Sequence, residues 1–386
     1  MKKAILLLLF GALTFCACRK DSLAETAINE SDMTGETVDL SFLSVDGLRK
    51  IFVLNEGQMG SNNASLDILR ISDAQYLTDV FRKVNPKSGG LGEVGNDIVV
   101  IGDEVWIAVN NSGIVEVISA EDEKEIAAIK VPTPRRIAYD DDYVYVTSWA
   151  GAYISYGEDY SITANANPKG QVYRIDRQTK KVKGSVEVGF QPEGIGFMDG
   201  NLYVANSGGF SCKLPPDYAF DHSISVIDAG TFGLTKTIDT GEYINLKDIY
   251  FDSFGDVYFT SLGDYRERHS GLYGIDLDGK IICLSKYVSV LVQRSENFFW
   301  FGTEDEFDWE HPKTWKAWYW GKGAKAEVSF PFDGLTPYGL YMPSDYCYLV
   351  ADAGDYFNPG TLTMVNHGQK KWTVTAGVCP GHFAVW

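Results

Sequence analysis

The sequence predicts an all-β chain folded as a seven-bladed β-propeller, closed by pairing of its N- and C-terminal strands. Three observations lead there: a short phrase that returns seven times, alternating strands around each copy, and a composition suited to short strands and tight turns. The phrase places an aromatic second and a small or polar residue before a loop. It reads IFVLNEG (51 to 57), VWIAVNN (105 to 111), VYVTSWA (144 to 150), LYVANSG (202 to 208), VYFTSLG (257 to 263), FWFGTED (299 to 305) and CYLVADA (347 to 353). Successive copies lie 54, 39, 58, 55, 42 and 48 residues apart, the spacing of propeller blades with loop insertions. The second-place rings, Phe52, Trp106, Tyr145, Tyr203, Tyr258, Trp300 and Tyr348, hold fixed strand positions and are expected in the core.

Upstream of the phrases lie alternating strands introduced by turns, most plainly PTPRRIAYDDD, QPEGIGFMDG, INLKDIYFDSFG and TPYGLYMPSD. Proline presets φ where the chain turns, and Asp-Gly or Asp-Asp closes the hairpin. Two further strands follow, as in HSISVIDAGTFGLTKTIDTG, which makes four strands per unit. One such unit cannot bury both faces, so units must stack around an axis. The chain ends on CPGHFAVW, an incoming strand with no phrase after it, while IFVLNEG is a phrase with no incoming strand before it. Together they complete one blade and remove an open edge.

The 386 residues are 45% hydrophobic and 13% aromatic, with 39 Gly and 22 Tyr, which favours strands over helices. A net charge of −18 without any Lys/Arg run excludes nucleic acid as a partner. Lys2-Lys3 and the apolar run AILLLLFGALTF, too short to span a bilayer, read as a secretory signal over 1–17. It ends at FCAC, a bacterial lipobox pattern in which Ala17 favours Cys18 over Cys16 as the lipidated residue. The acyl chains would anchor the protein to a membrane without spanning it. Residues 18–48, acidic and aperiodic, read as a flexible tether, leaving 49–386 for the propeller. Cys212, Cys283, Cys347 and Cys379 show no CxxC spacing and read as buried free thiols, with Cys347 and Cys379 open to pairing in an oxidising compartment.

In a propeller blade the first strand lies nearest the axis, so the turn into it and the loop after the second strand share one face. The loops after strand two carry rings, among them Trp149, Tyr153, Tyr156, Phe210, Tyr218, Tyr265, Phe307, Trp309 and Tyr356. The short turns add Phe190, Tyr243 and Tyr338. A rimmed patch of rings is a binding signal, although long loops also pack on their own side chains. Nearer the axis, the first residues of the inner strands are polar: Asn96, Arg135, Glu193, Lys247, Tyr338 and His382. The expected ligand-binding set is therefore Asn96, Arg135, Trp149, Phe190, Glu193, Phe210, Tyr243, Lys247, Tyr265, Trp309, Tyr338, Tyr356 and His382. Such a funnel suits a large, flat, amphiphilic molecule with amide or hydroxyl groups.

No catalytic residue is assigned, since GxSxG, HExxH and P-loop motifs are missing and the five His lack ligand spacing. A calcium-dependent propeller lactonase would need several acidic inner-strand residues, but Asn96, Asp97, Glu193 and Asp248 compete with Arg135, Arg136 and Lys247. The expectation is a binding protein with neither cofactor nor metal.

The phrase F/LYVxNxG, the turn PxGI, the strand SVIDxxT and the opening FVLNEGQMGSNNASLDIL resemble the YncE-like seven-bladed propellers over residues 49 to 386. The opening stretch is similar to surface lipoproteins of Bacteroidetes, most of all the BtuG vitamin B12-binding family. That resemblance implies an outer-membrane, surface-exposed lipoprotein. It would bind cobalamin or other corrinoids on its loop face and deliver them to a TonB-dependent transporter of BtuB type. A propeller hydrolase or lactonase, or a glycan- or protein-binding adhesin, is the alternative.

Overall fold

The computed structural model describes residues 26–43, 47–151, 153–156, 162–166, 168–208, 220–276, 278–308, 310–321 and 323–386, with 153–156 and 162–166 described by backbone alone. The signal, Cys16, Cys18, Cys212, Phe210, Tyr218 and Trp309 lie outside the described residues. Seven antiparallel sheets, each with four blade strands, are arranged as propeller blades. Their inner strands are Pro380–Val385 (blade 1), Gly95–Ile101 (blade 2), Pro134–Tyr139 (blade 3), Pro192–Met198 (blade 4), Leu246–Phe251 (blade 5), Val290–Arg294 (blade 6) and Pro337–Ser344 (blade 7).

Blade 1 is the closure. Pro380–Val385 pairs antiparallel with Lys50–Asn55, so that Val53 faces Phe383 and Leu54 faces His382. The phrase strands supply the core because both of their faces are covered by neighbouring blades. Phe52, Leu54, Trp106, Tyr145 and Trp300 are fully buried. Of the seven second-place rings only Tyr203 is partly exposed, stacked edge-on against Phe251 of blade 5.

The expected tether over 18–48 differs from the structure along 26–43, which lie against the propeller. Glu36–Thr37 adds a fifth strand to blade 1 beside Gln75–Leu77. Met33, Val38 and Leu43 are buried, and Trp372 of blade 7 donates its indole N–H to the Asp39 carbonyl at 2.9 Å. The strap thus lies across the seam between blades 1 and 7. Only the short run over 38–42 alternates, and Met33 stands alone among polar residues, so the segment gives little strand signal and reads as a linker. The strap also brings in Glu30, which accepts from Arg70 at 2.8 Å and lies 3.5 Å from Lys50. Lys50 donates to Glu123 of blade 2 at 2.7 Å, joining strap and two blades through buried ionisable groups.

Cys347 and Cys379 are buried free thiols, Cys347 lying 3.3 Å from the Met364 sulfur. Cys283 departs from the expectation: its position on the third-to-fourth strand hairpin side of blade 5 leaves it exposed.

Candidate ligand-binding funnel

The inner strands do not alternate cleanly at their upper ends. In blades 1, 2, 3, 4, 5 and 7 the pairing with the second strand slips by one residue just after the strand begins. Such β-bulges turn successive side chains toward the same side instead of opposite faces. Asn96 and Asp97, Arg135 and Arg136, and Lys247 and Asp248 therefore all line the axial opening. Blade 6 pairs without a bulge, and its inner strand contributes Val290, Leu291 and Val292. Left-handed residues (Val94, Thr133, Gln191, Asn245 and Cys379) immediately precede five of the inner strands and fix the turn into each bulge.

The result is a funnel of about 720 Å³ centred on the axis. Its polar side is one connected network. Tyr338 of blade 7 donates to Glu56 at 2.6 Å, and His382 Nε2 meets the other Glu56 oxygen at 2.8 Å. The Arg136 guanidinium reaches His382 Nδ1 at 3.0 Å and also donates to the Asn96 carbonyl. Because Arg136 can only donate, Nδ1 must carry the lone pair and Nε2 the proton given to Glu56. Arg135 donates to the Asn96 side chain at 2.9 Å and to both Glu193 oxygens at 3.1 Å. The chain of contacts runs from blade 7 through blades 1, 2 and 3 to blade 4.

Charge states follow from these partners. Burial acts against ionisation of Glu56, but the bonds from His382 and Tyr338 and the nearby Arg136 outweigh it and hold the carboxyl below its usual range. Asp97 goes the other way, raised by burial that Arg136 only partly offsets. Burial would discharge Arg136, yet the carboxylates of Asp97, Asp248, Glu193 and Glu56 keep it protonated. Tyr338 is pushed well above its ordinary value by burial and by Glu56.

Rings frame the mouth. Trp149 is 8% exposed, the Arg135 guanidinium sits 4.4 Å over its face, and its Nε1 has no hydrogen-bond partner among the described residues. Tyr265 reaches the funnel from the blade 5 loop and is 47% exposed. Tyr356, expected in the binding set, does not line the funnel: its ring is held edge-on against Tyr338 at 5.8 Å and is otherwise open to solvent.

Of the residues expected from sequence, the structure brings together Asn96, Arg135, Trp149, Glu193, Lys247, Tyr265, Tyr338 and His382. Phe190 does not line the funnel; it ends the outermost strand of blade 3, where its N–H donates to Asp221 at 2.9 Å. Tyr243 is drawn sideways, its ring 4.1 Å from Tyr273 within the wall, because an apolar partner lies nearer than the axis. Phe210 and Trp309 fall outside the described residues. Glu56 was missed, although a signal existed: Glu56, Trp149, Ser207 and Leu262 all occupy the sixth place of the phrase, and all four line the funnel. Among the described residues no group of three or more His, Cys, Asp or Glu is placed to hold a metal ion.

The fold and opening define the chain as a seven-bladed β-propeller with a half-polar axial funnel. Among solved structures it is similar to hydrazine synthase of Kuenenia stuttgartiensis, with 16% identity over 75% of this chain and 89% of that one, at a TM-score of 0.57. It is also similar to apo AztD from Citrobacter koseri, with 10% identity over 87% and 97% of the two chains and a TM-score of 0.51. At such identities the likeness carries the fold alone. No family model matches the chain, and no curated protein does.

Proposed function

We propose that the protein is a non-catalytic capture protein that binds cobalamin or a related corrinoid at the funnel mouth. In this reading it is a lipid-anchored protein of the outer-membrane surface that hands its ligand to a TonB-dependent transporter. The observation that carries the reading is the two-sided funnel: a hydrogen-bonded charged wall over blades 7 and 1 to 4, facing the apolar strand Val290–Val292 of blade 6. A corrin ring edged with amides offers both kinds of surface. In this reading the ring lies across the mouth, with Tyr265 at its edge. At about −0.3 kcal/mol per atom, a ligand on the order of a hundred heavy atoms reaches the practical ceiling of noncovalent affinity. Tight capture is therefore feasible without chemistry. Both ring nitrogens of His382 are engaged, so binding does not require His382 as a cobalt ligand.

The test is direct. Purified protein mixed with cyanocobalamin and passed through gel filtration should elute as a pink complex. A colourless protein peak at micromolar concentrations of both overturns the corrinoid assignment.

A further inference from the structure

Nearly every polar group in the funnel is already committed to another. Arg135 is spent on Glu193 and Asn96, and Glu56 on His382 and Tyr338. Arg136 lies 3.9 Å from Asp97, but its terminal nitrogen already serves His382 and the Asn96 carbonyl. A ligand reaching Arg135, Glu56 or this Arg136 nitrogen would have to compete with bonds they already make.

One pair is open. Lys247 and Asp248 are presented side by side by the blade 5 bulge, with the Lys247 ammonium 3.9 Å from Asp248 Oδ2. That separation is beyond hydrogen-bond reach. Lys247 Nζ donates no hydrogen bond among the described residues, and Asp248 accepts one side-chain bond, from Thr260 at 3.2 Å. Both side chains are part-exposed into the funnel, at 33% and 24%. They stand on blade 5 between the charged wall and blade 6, in a funnel that is also lined by Tyr250 and Leu291, which pack on one cluster at the blade 5–6 junction.

We propose that Lys247 and Asp248 form a carboxamide-recognition subsite: the ammonium donates to the amide oxygen and the carboxylate accepts from the amide NH₂. An unspent ammonium and a carboxylate that accepts only the Thr260 bond, this far apart, leave room for the O–C–N edge of a primary amide, with bonds of about 2.9 Å to each end. A carboxylate in the amide's place would keep the Lys247 contact but face Asp248 with like charge and no donor. The subsite therefore selects amide over acid, and the apolar lining at the blade 5–6 junction, Tyr250 and Leu291, takes the methylenes that carry the amide. Applied to the corrinoid reading, on which this use of the subsite rests, it grips one peripheral amide side chain and sets how the ring lies across the mouth.

Cyanocobalamin and its isomeric monocarboxylic acids, each with one peripheral amide hydrolysed, provide the comparison. By isothermal titration, at least one isomer should bind the wild type tenfold or more weakly than cyanocobalamin. In Asp248→Asn that gap should close to threefold or less, because the repelling charge is gone. In Lys247→Met cyanocobalamin itself should weaken about tenfold. A purely structural role for the pair would not move the ratio of amide to acid. Equal binding of all isomers, or a gap unchanged in Asp248→Asn, overturns the subsite while leaving corrinoid capture standing.

If cyanocobalamin does not bind the wild type, the corrinoid reading falls and propionamide against propionate decides the subsite. Propionamide should shift the Leu291 methyl resonances in the wild type, propionate less so, and neither in Lys247→Met. Methyl signals unmoved by propionamide, or moved equally in the variant, overturn it.

Discussion

Gly194→Ala tests whether the inner ring is packed as tightly as the funnel requires. Gly194 lies on the inner strand of blade 4, directly against the blade 5 bulge. A Cβ there would stand 2.5 Å from the Lys247 carbonyl oxygen, 2.7 Å from the Asp248 Cα and 3.0 Å from the Ile249 nitrogen. All three are backbone atoms, so no side chain can swing aside, and the two strands must part by half an ångström or more. Overpacking of this kind costs about 1–3 kcal/mol. Against it, Ala restricts the unfolded chain and returns roughly 0.4–1 kcal/mol. The clash wins, with a net loss of about 1–2 kcal/mol and a melting temperature lower by roughly 1–3 °C for a propeller of this size. Calorimetry measures the first effect, and titration with cyanocobalamin the second. Displacing Lys247 and Asp248 should weaken binding beyond a control such as Ile227→Val, which costs about 0.5–1.5 kcal/mol in a wall remote from the mouth. An unchanged melting temperature would refute the close approach of the two inner strands.

Two further predictions concern the buried ionisable groups under the strap. Burial, only partly offset by Lys50, raises the Glu123 carboxyl to about 8, and one of its oxygens has no partner among the described residues. The folded state thus holds this proton more tightly than the unfolded chain, so stability falls as pH rises from about 4.5 to 8, by up to about 5 kcal/mol. Glu123→Gln should flatten that part of a urea-denaturation profile, and an unaltered slope would count against it. Arg70→Met removes the donor shared by Glu30, Asp73 and the Met33 carbonyl, which should cost about 3–5 kcal/mol and expose residues 26–43 to limited proteolysis before the propeller itself is cut.

What the sequence made legible was everything set by a repeat. The phrase positions located all seven second strands, and CPGHFAVW and IFVLNEG were paired because each lacked what the other had. Polar starts of inner strands located Asn96, Arg135, Glu193, Lys247, Tyr338 and His382 at the funnel. Alternation failed where bulges intervene. A period of two sends Arg136 and Asp248 away from Arg135 and Lys247, and only the slipped pairing brings each couple to one side. Loop rings were the least legible, because a ring such as Tyr243 goes to whichever apolar partner is nearest, and Tyr273 was nearer than the axis.

Ring closure and the mouth are built from the same residues. His382 belongs to the C-terminal strand that completes blade 1, Glu56 follows the N-terminal strand it pairs with, and Tyr338 starts the inner strand of blade 7. Gly339 lets that strand lie against the Gly381 backbone, where a Cβ would come within 2.5 Å of the carbonyl oxygen. The seam between first and last blades is thus bridged at the funnel by the bonds on Glu56, and at the perimeter by the strap on Trp372. Glu56→Gln therefore perturbs both properties at once. The wild-type carboxyl, held below its usual range, adds stability that is present above about pH 4.5 and is lost as pH falls through its folded value. Glu56→Gln should lower stability at pH 7 and abolish that acid-side loss, while loosening His382 and with it the Arg136 anchor of the polar wall. A variant that kept full stability at pH 7 but still lost ligand would separate the mouth from the seam, and would show that closure rests on strand pairing and strap alone.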